Sequence, residues 1–179
     1  MRLSKAGYFA DFAVYPSIVL GLVTLTLRHA PSVVWIEWSI ACLAGIAAWT
    51  LLEYAIHRGV LHRIRFFAAM HELHHEDPEG FVGTPTWLSL PAVCIGALFP
   101  LWWKTGFDFA SGVTAGLMLG YVWYVGLHHM LHHWRIRPGS YLYHRKHCHA
   151  LHHHARQPCN FGVTSQFWDR VFGTAHRAR

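Results

Sequence analysis

Residues 110–133 read ASGVTAGLMLGYVWYVGLHHMLHH, an apolar stretch that runs without interruption into a cluster of histidines. The apolar part, 110–127, carries no charged residue and approaches the roughly 17 to 25 residues that a helix needs to cross a bilayer. Three further stretches, 12–27, 33–52 and 87–103, are similarly apolar, and in the whole chain 53% of residues are apolar while 13% are charged. The sequence therefore predicts an all-α integral membrane protein with four transmembrane helices.

Two short turns, 28–32 and 104–109, are predicted to join the helices into two hairpins, so the polar segments 53–86 and 128–179 share one membrane side with the amino terminus. Of the 15 Lys and Arg residues, 13 fall on this shared side. The positive-inside rule then predicts that both termini and both polar segments are cytosolic. The net charge of +6 reflects this topology, and the basic residues form no stripe with stacking aromatics, which argues against nucleic-acid binding. We predict one domain over residues 1–179.

Glycines recur at every fourth position of the last predicted helix, at Gly112, Gly116 and Gly120. Such spacing gives a helix a flat stripe on which another helix can pack closely. We therefore expect another transmembrane helix to lie against this stripe.

Histidine is concentrated in the two polar segments, which hold 16 of the 17 histidines, His29 being the exception. Residues three and four apart share one face of a helix, so His71, His74 and His75 can aim at one point. The same spacing recurs at the end of the chain. The four clusters are His57 with His62; His71, His74 and His75; His128, His129, His132 and His133; and His149, His152 and His153.

Two of these clusters are ambiguous. His57 and His62 lie five residues apart and diverge on an ideal α-helix, so the helix must end or bend there, with Gly59 as a candidate. In the third cluster His129 and His133 have the same spacing as His128 with His132, and we favour the earlier pair.

So many imidazoles exceed what one octahedral ion can accept, and imidazole suits iron, zinc, copper and nickel. The sequence therefore predicts a cytosolic, His-rich helical cap that holds a dinuclear metal site. His144, His147, His154 and His176 are left outside the predicted ligand set, as groups that support the ligands or face the interface.

The histidine clusters, the opening Glu53-Tyr54-x-x-His57-Arg58-x-x-x-His62 and the later run NFGVTSQFWDRVFGT at 160–174 together resemble the fatty acid hydroxylase and sterol desaturase superfamily. The resemblance spans about residues 40–174. Within the superfamily, the sequence most resembles the sphingolipid fatty acid 2-hydroxylases. The combination of spaced clusters with the final run is far more specific than any one motif.

The resemblance implies two iron ions, with zinc as an alternative in purified material, and dioxygen as co-substrate. It further implies hydroxylation of a lipid, a fatty acyl chain, with electrons from a separate cytochrome, ferredoxin or flavin reductase. No catalytic residue beyond the metal centre is assigned. The implied metal ligands are His57, His62, His71, His74, His75, His128, His132, His149, His152 and His153.

Two kinds of alternative stay open from the sequence. A lipid desaturase or a sterol or carotenoid hydroxylase of the same superfamily uses the same ligands, so the ligands cannot separate these activities. A non-catalytic, His-rich metal-binding membrane protein is the other, although metal storage alone does not require helical spacing.

Overall fold

The computed structural model describes residues 1–29 and 32–176, and their regular secondary structure is helical apart from an isolated bridge between Arg2 and Val82. Two π-helical turns, His57–Leu61 and Cys94–Leu98, interrupt longer helices. The α-helices of the described residues are α1 (Lys5–Phe9), α2 (Asp11–His29), α3 (Ser32–Ile56), α4 (Arg65–Glu76), α5 (Thr86–Val93), α6 (Phe99–Thr105), α7 (Phe107–His133), α8 (Tyr141–His154) and α9 (Phe167–Val171).

Four helical segments are long and apolar enough to cross a membrane, which confirms the four predicted spans. They are Lys5–Thr26, Val33–Leu61, Thr86–Thr105 and Phe107–His133. The second and fourth run beyond the predicted ends into the histidine clusters. The predicted turn at 28–32 includes residues 30 and 31, which lie outside the described residues. The other turn is a single residue, Gly106, whose φ of 88° favours glycine.

The chain divides into two compact units. The apolar unit consists of Leu3–Trp49 and Thr84–Val122, and the histidine unit consists of Met1–Arg2, Thr50–Gly83 and Trp123–Arg179. All of the histidines predicted to bind metal belong to the histidine unit. Helices α3 and α7 each contribute residues to both units.

In the apolar unit, α3 and α7 pack at the predicted glycine stripe. A Cβ added at Gly116 would collide with the carbonyl oxygen of Cys42, and one added at Gly112 would lie 2.8 Å from the carbonyl oxygen of Trp38. On α3, Gly45 faces the backbone of α7 in return. The prediction of close helix packing at the stripe is thus confirmed, with backbone against backbone.

A buried carboxylate also joins helices of the apolar unit. Asp11 of α2 is only 6% exposed and accepts hydrogen bonds from the Tyr121 hydroxyl at 2.6 Å and the Thr86 hydroxyl at 2.5 Å. An acid at this depth requires such partners because its lone pairs find no water. The carboxylate therefore links α2, α5 and α7, a role that its position near the start of the span did not reveal.

The histidine unit has a small apolar core of Leu127, Leu131 and Val163. Helix α8 begins at a Ser140 cap, whose hydroxyl accepts from the Tyr143 amide at 3.1 Å. The Tyr54 ring stacks on Phe172 with centroids 5.2 Å apart. These contacts set the positions of α8 and of the carboxyl-terminal segment around the histidines.

Candidate metal centre

Two groups of histidines converge inside the histidine unit. In each group the candidate ligand nitrogens all lie within 4.8 Å of one another. The four-histidine group is His57, His62, His71 and His152, and the five-histidine group is His74, His128, His132, His149 and His153. Nine of the ten predicted ligands are therefore brought together, in two sets.

The nitrogen separations match those expected of ligands on a shared ion. The Nε2 atoms of His57 and His71 are 2.9 Å apart, those of His62 and His152 3.2 Å, and those of His132 and His149 2.8 Å. An imidazole nitrogen lies about 2.1 Å from a divalent metal, so two ligands at right angles on one ion have nitrogens about 3.0 Å apart. Each group thus has the dimensions of a coordination shell.

Helices α4 and α8 each supply both groups. From α4, His71 joins the four-histidine group and His74 the five-histidine group; from α8, His152 joins the former, and His149 the latter. This differs from the expectation that each HxxHH triplet aims at one point. Three residues of α-helix rise about 4.5 Å, enough to separate adjacent ligand positions along one face. The ring centroids of His149 and His152 are 5.7 Å apart, so the two groups are immediate neighbours.

His57 and His62 reach the same group because the chain between them is a π-helical turn, His57–Leu61. A π-helix bonds residues five apart and so returns to the same face after about five residues, where an α-helix does not. The two rings stack with centroids 5.2 Å apart and planes inclined at 29°. The predicted distortion around Gly59 is present, and it takes the form of a widened turn.

In the third cluster the earlier pair lies with the other candidate ligands. His128 and His132 lie in the five-histidine group, whereas His129 and His133 stack on each other outside both groups, with centroids 4.2 Å apart. The four histidines left out of the predicted ligand set are exposed: His144, His147, His154 and His176.

His75 is the one predicted ligand that belongs to neither group. Its Nε2 lies 3.1 Å from the Nε2 of His71, and its ring stacks on that of His153 at 4.2 Å. His75 therefore contacts a member of each group.

Burial keeps these imidazoles neutral. Together with a smaller effect of neighbouring imidazoles, it lowers the pKa of His62 to about 4 and those of His74 and His152 to about 3. Burial also moves the pKa of His71 and that of His149 well below the ordinary range. Neutral imidazole is the form that donates a lone pair to a metal, so at neutral pH these side chains are ready to bind.

Backbone carbonyls orient two ligands of the four-histidine group. The Nδ1 of His57 donates to the carbonyl of Phe161 at 2.5 Å, and the Nδ1 of His152 donates to the carbonyl of Cys159 at 2.7 Å. Because a carbonyl only accepts, Nδ1 must carry the proton in both rings. The Nε2 lone pairs are therefore left facing the other histidines.

Both carbonyls belong to residues 159–164, here named the carbonyl loop, and buried charged side chains hold it. Glu53 accepts from the amides of Val163 at 2.5 Å and Thr164 at 2.8 Å, and from the Thr164 hydroxyl at 2.6 Å. Arg145, 1% exposed, donates to the carbonyl of Val163 at 3.0 Å through Nε and also to that of Gly162.

Asp169 completes the support. It is fully buried and accepts from the amide of Phe161 at 2.8 Å and from that of Gly162 at 2.9 Å. Asn160 has a φ of 52°, and its side-chain amide donates to the carbonyl of Cys148 at 3.2 Å. Gly162 has no room for a Cβ, which would collide with the carbonyl of Ser165. These contacts explain the residue types of the NFGVT segment physically.

The sequence did not reveal this second layer of the site. The segment 160–174 carries a family resemblance, but a backbone carbonyl leaves no residue-type signal. Glu53 lies one helical turn before His57 and acts on the carbonyl loop that contacts that histidine.

The residues fit a bound metal. Several ring nitrogens are buried without a hydrogen-bond partner among the described residues, including Nε2 of His128 and both ring nitrogens of His74. Unpaired buried polar atoms are costly, and a metal bond satisfies one nitrogen of each ring. Both groups offer imidazole nitrogen throughout, a donor set suited to iron or zinc rather than to magnesium or calcium.

The fold and site define a membrane protein with a clustered-histidine centre able to hold metal. A model of the fatty acid hydroxylase family matches residues 42–174. The chain belongs to the fatty acid hydroxylase family.

Known relatives agree with this membership. The chain is 36% identical to the fatty acid 2-hydroxylase of Macaca fascicularis, over 74% of this chain and 38% of that protein. It is 30% identical to the dihydroceramide fatty acyl 2-hydroxylase FAH2 of Arabidopsis thaliana, over 89% of this chain and 71% of that protein. The chain thus spans 38% of the length of the macaque relative.

A solved structure has the same fold. It is described as full-length scs7p with only the hydroxylase domain visible, and it superposes with a TM-score of 0.81 at 26% sequence identity. The match covers 96% of this chain and 67% of that one. The agreement extends over nearly all of the chain.

Proposed function

We propose that this chain is a membrane-bound lipid hydroxylase that uses dioxygen and external electrons to hydroxylate a fatty acyl chain at a pair of iron ions. The observation that carries the proposal is the pair of adjacent all-histidine groups in a chain of the fatty acid hydroxylase family. Relatives of 30% identity or more are named as fatty acid or dihydroceramide fatty acyl 2-hydroxylases. Their names support an acyl-chain substrate.

We assign metal binding to the ten predicted histidines. The four-histidine group would hold one ion and the five-histidine group the other, with zinc as an alternative occupant in purified material. His75, which touches His71 of one group and stacks on His153 of the other, would complete either shell.

In the proposed reaction, the side chains around the ions keep the ligand nitrogens available, orient two ligand rings and exclude water. Bound iron would supply the one-electron chemistry and dioxygen activation that protein side chains lack. The neutral imidazoles keep the ligand nitrogens available, and the His57 and His152 rings are held in one tautomer by the carbonyl loop. The Phe161 ring lies against His62 with centroids 5.4 Å apart and shields that group from water.

The membrane supplies the proposed substrate. Four helices long and apolar enough to span a bilayer are consistent with a lipid substrate. The charge distribution favours a cytosolic position for the termini and the histidine unit. Exposed arginines of that unit, among them Arg63, Arg65, Arg135 and Arg156, would attract an acidic electron donor such as a cytochrome, a ferredoxin or a flavin reductase.

The test is lipid mass spectrometry of cells that express the chain under isotopically labelled dioxygen. A His152→Ala, His153→Ala double variant removes one ligand from each group. The matched control is His129→Ala, His133→Ala, which removes a histidine pair outside both groups.

We expect a labelled, hydroxylated lipid with the native chain and the control, and none with the ligand variant. A lipid that loses two hydrogens without gaining label would identify a desaturase instead. If no lipid changes although the chain binds iron and a reductant is supplied, the proposal is wrong, and metal binding without catalysis is the better explanation.

A further inference from the structure

The two histidine groups differ in the hydrogen-bond partners of their Nδ1 atoms. In the four-histidine group, two of the rings donate from Nδ1 to carbonyls of the carbonyl loop, His57 to Phe161 and His152 to Cys159. In the five-histidine group, Nδ1 of His149 and Nδ1 of His153 are buried without a hydrogen-bond partner among the described residues.

His74 shows the contrast most clearly, because both of its ring nitrogens are buried without a partner in the described part of the chain. A metal can satisfy only one of them. No hydrogen bond therefore determines the tautomer of this ring, whereas the carbonyl loop determines the tautomers of His57 and His152.

A hydrogen bond from Nδ1 to a carbonyl increases the electron density at Nε2 and removes rotational freedom before metal arrives. Loss of such partners typically weakens metal binding by about 10-fold to 100-fold. Two such bonds behind the four-histidine group, and unpartnered nitrogens in the five-histidine group, favour tighter metal binding by the four-histidine group.

The carbonyl loop is itself preorganised by charges. Two carboxylates, Glu53 and Asp169, accept four of its backbone amides, and the Arg145 guanidinium donates to two of its carbonyls. All three side chains are at most 3% exposed. Burying three charged groups around six residues is costly, so the position of the loop is strongly determined once they are paired.

We propose that the four-histidine group is the tighter of two unequal metal sites, and that Glu53, Arg145 and Asp169 are positioning residues that make it so through the carbonyl loop. The inference rests on the proposed function, which requires a metal ion in each group. It adds an order of occupation: the four-histidine group fills first, and the five-histidine group holds the more readily lost ion.

The experiment is a titration of the metal-free full-length chain in detergent with Co²⁺, followed by its visible absorption and by bound metal per chain. We expect two steps separated by at least about 10-fold in affinity. The His62→Ala variant should lose the tighter step and His132→Ala the weaker one, which assigns each step to its group.

Asp169→Asn tests the positioning role, because an amide cannot accept all the hydrogen bonds that the carboxylate accepts. We expect it to weaken the tighter step by about 10-fold to 100-fold and to leave the weaker step unchanged. Asp77→Asn is the matched control: its carboxylate pairs with Arg2 at 3.6 Å, is 42% exposed, and should change neither step.

Thr164→Val is a milder variant for the case in which Asp169→Asn does not fold, because it removes only the hydroxyl contact with Glu53. We expect it to weaken the affinity of the tighter step by a smaller factor and to leave the weaker step unchanged. Two ions bound with equal affinity, or both steps weakened equally by these variants, would overturn the inference while leaving a dinuclear site. Binding of one ion per chain would overturn the dinuclear site itself. Lack of hydroxylated lipid from a chain with two unequal sites would count only against the proposed function.

Discussion

Replacing Gly116 by alanine tests the packing of α7 against α3. A Cβ at this position would overlap the carbonyl oxygen of Cys42 and lie 2.9 Å from the Cα of Gly45. Because carbon atoms in contact are about 3.5–4.0 Å apart, the Gly45 contact alone would require the two backbones to separate by roughly 0.6–1.1 Å, and the overlap with the Cys42 carbonyl requires a larger shift. Overpacking of this kind costs about 1–3 kcal/mol. No side-chain rotation can relieve it, since the opposing atoms belong to the backbone.

The measurement is thermal unfolding of the full chain in detergent micelles. For a chain of this size the midpoint should fall by about 2–4 °C for each kcal/mol lost. Gly21→Ala is the matched control, because Gly21 lies in α2 and a Cβ there meets nothing within 4 Å. Alanine at a helical position of this kind should stabilise by up to about 1 kcal/mol. Equal midpoints for the two variants would refute the close approach of α3 and α7.

Three further predictions concern the histidine unit. His132→Ala should reduce bound metal per chain, measured by elemental analysis, whereas His133→Ala should not; equal losses would contradict the choice of the earlier pair. Because the folded pKa of His62, about 4, lies below the value of about 6.5 in an unfolded chain, the unfolded state takes up the proton first as pH falls. The free energy of unfolding of the metal-free chain should therefore decrease from about pH 6.5 towards pH 4, and a flat profile would count against the burial of the histidines. Trp168→Phe and Thr50→Val each remove the indole hydrogen bond of 3.0 Å and should cost about 0.5–1.5 kcal/mol. The double variant should lose less than the sum of the two, and strict additivity would show that the bond contributes nothing.

The spans were predictable because length and apolar composition are sufficient signals for a bilayer helix. Their ends were not, since α3 and α7 continue as helix after the composition changes, through His57–Leu61 and through the third histidine cluster. The glycine stripe predicted a close neighbour. Which helix would be that neighbour depended on tertiary packing, and it proved to be α3.

The candidate ligands were largely predictable, because histidine spacing and family resemblance both select them. Their division into two groups was not, since helical spacing states which residues share a face and not how far apart their targets lie. His74 and His71 are on the same face of α4, yet they belong to different groups. The carbonyl loop was unpredictable for another reason: its contacts with the ligands come from main-chain atoms, and Glu53 reaches it from 110 residues away in the sequence.

The π-helical turn at His57–Leu61 makes the site sensitive to the form of the backbone as well as to the kind of residue. If this stretch were an ordinary α-helix, His62 would lie about 140° around the helix from His57 and would leave its three companions, although every amino acid was unchanged. One residue fewer between the two histidines would instead give the four-residue spacing that an α-helix keeps on one face. The widened turn, and not the histidine residues alone, therefore places His62 in its group.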